Sequence, residues 1–166
     1  MGQSMEAGPE GWGGRLATVW ALAGSTVIFV HAVVRLGAHG LESVRGGLGP
    51  GESASLVVLT AAFVYGEGVL ALERRFVPHL VERARGLAQE ASVTLRILAP
   101  LYAFSLVGAP RRTLARAWAG VAAIAVAVVA VRALPDPWRG IVDLAVAAAL
   151  AWAVVALVRQ SAGALR

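Results

Sequence analysis

Four apolar stretches dominate this chain: residues 16–34, 54–72, 117–131 with its flanks, and 140–158. A helix rises about 1.5 Å per residue, so about 20 apolar residues cross a hydrocarbon layer about 30 Å thick. A backbone inside lipid must satisfy its own hydrogen bonds, and continuous apolar runs of this length do so as helices. The expected fold is therefore all-α: a polytopic membrane protein with four transmembrane helices at about 15–36, 54–75, 113–133 and 138–160. Together they make a single transmembrane domain over residues 15–166.

The segments between these runs set the orientation. Every basic residue other than histidine is an arginine. With the N-terminus in the cytoplasm, Arg15, Arg74, Arg75, Arg83, Arg85, Arg96, Arg111, Arg112, Arg116, Arg159 and Arg166 all fall inside. Only Arg35, Arg45, Arg132 and Arg139 fall outside. Cytoplasmic loops retain positive charge, so the expectation is a multi-pass protein with both termini cytoplasmic. Composition agrees: 58% of residues are hydrophobic, 15% are charged and the mean hydropathy is +0.70. A formal charge of +5 could suggest nucleic acid. The arginines gather at membrane edges instead, where anionic lipid headgroups are the natural partner and no nucleic acid is required. Arg74, Arg75, Arg83, Arg85, Arg111 and Arg112 are the expected lipid-facing basic set. With no cysteine, disulfides, thiolate metal sites and Cys nucleophiles are excluded.

Residues 1–14 carry Glu6, Glu10 and several glycines without a basic cluster, and the apolar run that follows is about a full bilayer long. That favours a disordered cytoplasmic tail and a retained first helix over a cleaved signal. The glycine-rich segment 37–53 reads as an external connection, with Ser53 as N-cap of the second helix. Residues 77–90 place Val77, Leu80, Val81, Ala84 and Leu87 opposite Glu82, Arg83 and Arg85, the pattern of an amphipathic helix on the cytoplasmic membrane surface. The apolar part of 95–108 is too short to span, is interrupted by Pro100 and is bracketed by Arg96 and Arg111. It is expected to be a re-entrant or interfacial helix.

An ionisable group inside a membrane is costly without a partner, which makes each one a candidate site. Glu67 is the most embedded, between Gly66 and Gly68, and reads either as a proton- or cation-binding carboxylate or as the partner of Arg112 or Arg116. Asp143 follows Arg139 by one turn and reads either as its i,i+4 partner or as counter-ion to Arg35 or His31 in an outer polar pocket. No two histidines can bracket a haem within one chain, and no metal site or other cofactor is expected. The motifs of serine hydrolases, zinc proteases and P-loops are missing. Residues 115, 119, 123 and 127 and residues 145, 149 and 153 are alanines at helical spacing, suited to close helix packing.

Two phrases, E-G-x4-E-R-R-F-V-P-H-L-V-E-R-A at 67–84 and P-W-R-G-I-V-D at 137–143, resemble motifs of small bacterial four-helix inner-membrane proteins of no assigned activity. With the 99–102 and 111–118 stretches the likeness covers roughly the C-terminal two-thirds. It implies a bacterial inner (plasma) membrane location and marks Glu67, Pro78, Arg83, Trp138, Arg139 and Asp143 as positions of interest. The expected function is that of a non-enzymatic structural or accessory subunit, in a homo-oligomer or a larger membrane complex. The alternative is a small ion or proton channel or transporter subunit using Glu67, with an outer vestibule of His31, Arg35, Arg139 and Asp143. A membrane enzyme comes third.

Overall fold

A computed structural model describes residues 12–87 and 92–164, all helix and connecting turns with no strand among them. Four helices are long and apolar enough to cross a membrane. The first, α1, is Trp12–Val44, longer at both ends than the sequence pattern indicates. Of the tail expected at 1–14, residues 1–11 lie outside the described residues, and Trp12, Gly13 and Gly14 begin this helix.

The second span is one continuous helix from Pro50 to Gly86. It opens as α2, Pro50–Phe63, where Pro50 takes a first-turn position and the Glu52 carboxylate accepts the Gly49 N–H at 2.7 Å. This start lies ahead of the expected cap at Ser53. The helix widens into a π-helical segment, Val64–Phe76, and tightens again as α3, Val77–Gly86. Most π-helical stretches are single-turn bulges, often at functional sites, so thirteen residues is unusual.

Residues 77–87 thus continue the second span. Their apolar side is covered by protein: Val77, Leu80, Val81, Ala84 and Leu87 are all buried. They join Ala17, Ala21, Leu22 and Phe29 of α1 and Ala156 and Leu157 of the last helix in one cluster. The amphipathic pattern is real, but the side expected to meet lipid meets the bundle instead. Residues 88–90 of that expected element lie outside the described residues.

Across 95–108, the expected single helix is two five-residue pieces, α4 (Val93–Ile97) and α5 (Ala99–Ala103), broken at Leu98. Pro100 has no N–H to give and clashes with a helical turn before it, so it can only start a helix here. Ala99, Tyr102 and Ala103 are buried, and Phe104 stacks with Phe29 and Phe76 at centroid distances of 5.9 and 5.7 Å.

The remaining spans are α6, Arg111–Arg132, and α7, Trp138–Ala164. Helix α7 is the hub: it packs on α1, α2, the π segment and α3. Its small residues permit this. A Cβ added to Gly40 of α1 would stand 2.9 Å from the Gly140 carbonyl oxygen and 2.7 Å from Leu144 Cγ. At Gly68 of the π segment it would stand 3.3 Å from the Ala149 oxygen. Backbones this close gain packing energy that lipid cannot match. Helix α6 is the contrast, since none of its residues is buried.

Candidate functional site

Two of the places that hold ionisable groups within the spans centre on Asp143 and Glu67. The first joins the end of α1 to the start of α7. Asp143 is buried, and its Oδ2 lies 2.9 Å from Nδ1 of His39 and 3.9 Å from Nε of Arg139. The Gly40–Gly140 contact one residue along from His39 brings the two helices near enough for this pairing. Neither nitrogen points its hydrogen squarely at an acceptor, although the His39 ring is close enough for strong attraction when protonated. Arg139 completes the i,i+4 pair anticipated from sequence, at longer range.

His39 is the residue that sequence reasoning missed. The glycines at 37 and 40 suggested a loop, whereas α1 continues through them to Val44. His31, Arg35 and His39 recur at intervals of four, so one helical stripe could have pointed to it. Of the expected vestibule, His31 and Arg35 are exposed and make no ion pair with Asp143. His31 borders an open surface groove of about 350 Å³ with Thr26, Val27, Val30 and Val34.

The second place is Glu67. It sits in the first turn of the π segment, beside Gly68, which faces Ala149 and Trp152 of α7. Glu67 is exposed, and no ion pair or hydrogen bond to it is found among the described residues. Arg112 and Arg116, its anticipated partners, are exposed on α6 and are likewise unpaired with it.

A polar latch closes the opposite end of α7 from Asp143. The Trp152 indole donates to Glu73 Oε2 at 2.7 Å, Gln160 Nε2 donates to the Glu73 carbonyl at 3.3 Å, and Arg159 lies 3.9 Å from Glu73 Oε1. Arg83, one of the expected lipid-facing set, is half-buried and bonded within the chain. Its Nε donates to the Tyr102 carbonyl at 3.0 Å, its terminal nitrogen to that of Gly108 at 3.2 Å, and its guanidinium lies 4.1 Å from the Tyr102 ring centroid. Carbonyls freed where α5 unwinds need donors, and a planar five-donor fork supplies them. Arg85 reaches the Gly163 carbonyl at 3.5 Å, while Arg74, Arg75, Arg111 and Arg112 remain exposed.

The hydroxyls of α1 are used locally. Ser25 and Thr26 donate to the carbonyls of Ala21 and Leu22 at 2.7 and 2.8 Å, and Thr18 lies 3.0 Å from the Ala84 carbonyl, tying α1 to α3. Among the described residues no group of three His, Cys, Asp or Glu side chains is placed to hold a metal ion. Compared with known protein families, curated proteins and solved structures, the chain matches none of them.

Proposed function

We propose that this is a non-enzymatic integral membrane protein, a structural or accessory subunit of a homo- or hetero-oligomeric assembly. The observation that carries the reading is α6: a 22-residue span rich in Ala and Val of which nothing is buried within its own chain. Lipid solvates such a helix, but small side chains make it a poor lipid-filling surface and a good surface for another helix. The ionisable groups α7 gathers are consumed in latches, at Asp143 and at Glu73, which suits a scaffold better than a reaction centre.

In the same proposal the arginine-rich end of the bundle faces the cytoplasm of a bacterial inner membrane, with both termini on that side and anionic headgroups around Arg74, Arg75, Arg111 and Arg112. The polar outer rim of α3 lies at that surface while its apolar side serves the bundle. Native mass spectrometry of the protein released with its own lipids tests the assembly. Recovery of defined multimers, alone or with companions, is expected, and recovery only as single chains in every lipid tried overturns the reading.

One observation favours a second reading. An unpaired carboxylate on a long π-helical segment is the kind of group that binds a proton or cation in a membrane. Ion flux in liposomes that disappears in Glu67→Gln, with the fold intact, would put the channel or transporter subunit first.

A further inference from the structure

Glu67 and the arginines of α6 pose one electrostatic problem twice. An exposed carboxylate stands inside the second span, and Arg112 and Arg116 stand exposed at the start of a span none of whose residues is buried. Neither set is neutralised among the described residues, and an isolated charge within a membrane costs several kcal/mol.

Their depths match. The start of α6 follows α5, which Arg83 ties to α3, so Arg111 and the Arg74–Arg75 pair lie at the same end of the bundle. The far end of α6 leads into α7 at Gly140, against Gly40 at the opposite end. Arg116 lies roughly 8 Å along α6 from Arg111 at about 1.5 Å per residue, and Glu67 precedes Arg74 within the π segment, so each charge is set inward from that end.

We propose that a second copy of this chain supplies the missing partner. Helix α6 of each copy lies on the outer side of the second span of the other, with Arg116 of one copy paired to Glu67 of its partner. Two copies of one membrane protein share an orientation, so a two-fold axis along the membrane normal preserves depth and makes both pairs at once. The surfaces offered are otherwise apolar on both sides. Phe63 and Ala71 flank Glu67 one turn away on the second span, half-buried, and Ala119, Gly120 and Ala123 are exposed beyond Arg116 on its side of α6. Arg112 precedes Arg116 by one turn and stays nearer the headgroups. This inference rests on the assembly reading and names its partner.

Charge exchange tests it in lipid nanodiscs or by native mass spectrometry. Glu67→Arg sets arginine against arginine at both contacts of a dimer, and Arg116→Glu sets carboxylate against carboxylate. Each variant alone should lose dimer by about tenfold or more. Mixed together, the two variants should dimerise again, because one contact is then native and the other exchanged. A pair formed within one chain could not be rescued by mixing, so single-variant losses without rescue overturn the proposal when both variants keep their helical content.

A second measurement covers loss of fold. The chain has no cysteine, so differently tagged Glu67→Cys and Arg116→Cys chains report on this contact alone. A disulfide joining the two tags supports the proposal, and no such product under oxidation overturns it. Wild-type multimers that ignore both substitutions would overturn this interface while leaving the assembly reading standing. Copurification of α6 with a different protein in place of a second copy would do the same.

Discussion

Helices α6 and α7 are nearly interchangeable by composition, both built from Ala and Val with a few arginines, yet one is the centre of the bundle and the other is bare. Alanines at 145, 149 and 153 are buried, while those at 115, 119, 123 and 127 are exposed. In water such a difference would be untenable, because burial of apolar area drives folding. In lipid the tails are as apolar as the side chains, and helices associate through close backbone contact and polar ties. Helix α7 has both: Gly140 lets α1 approach, Asp143 meets His39, and Trp152, Arg159 and Gln160 hold Glu73. Apolarity puts a helix in the membrane, and what it touches there is decided by a handful of small and polar residues.

The largest break in that comparison should come from adding one methyl group to each helix. Gly140→Ala places a Cβ against Ser43 and the Gly40 carbonyl, and separating α1 from α7 should cost about 3 kcal/mol, the upper part of the usual overpacking range. Gly120→Ala on α6 meets nothing within 4 Å and should hold or raise stability by up to about 1 kcal/mol through helix propensity. Thermal unfolding in detergent reads both. Equal losses at the two positions would mean that α6 packs within its own chain after all.

Asp143→Ala comes next. It leaves His39 and Arg139 without the carboxylate they face, and since both are about one-third exposed the loss should be about 2 kcal/mol rather than the full cost of a buried unpaired charge. A double-mutant cycle sharpens the assignment. Coupling of Asp143 to His39, at 2.9 Å, should exceed coupling to Arg139, at 3.9 Å. The reverse order would restore the pair within α7 as the main one. Arg83→Lys should cost about 1 kcal/mol, because an ammonium cannot reach the Tyr102 and Gly108 carbonyls and cover the ring together. Digestion near 104–110 should speed up with it, whereas a lipid-facing Arg83 would tolerate lysine.

The four spans were legible because length and hydropathy report directly on the solvent a helix needs. The cytoplasmic placement of the arginines follows from the same pattern and remains part of the proposal. Contacts were legible only where both partners share a helix, as with Arg139 and Asp143. His39 was lost in a glycine-rich stretch that reads as a loop in isolation. Gly40 is helical there because its missing side chain is what α7 packs against, and that reason lies a hundred residues away. Arg83 reads as a surface charge because the carbonyls it serves appear only once Pro100 has broken the next helix. The two alanine stripes give identical signals, and nothing local to either says which one the chain itself will use.

The smallest expected effect separates the two helices by a single hydrogen bond. Trp152 of α7 and Trp118 of α6 are both exposed for about half of their surface, at 40% and 55%. Trp152 donates its indole N–H to Glu73, whereas no protein acceptor for Trp118 is found among the described residues. Phenylalanine keeps most of the ring and removes the donor. Trp152→Phe should therefore lose about 1 kcal/mol, the net worth of one hydrogen bond with a charged acceptor at a partly exposed site. Glu73→Gln should remove much of the same increment, and the two together little more. Trp118→Phe should leave the melting temperature of the single chain unchanged. If Trp118→Phe were instead the costlier change in the isolated chain, α6 would have an intramolecular partner, and the contrast between a tied helix and a free one would fail at its simplest point.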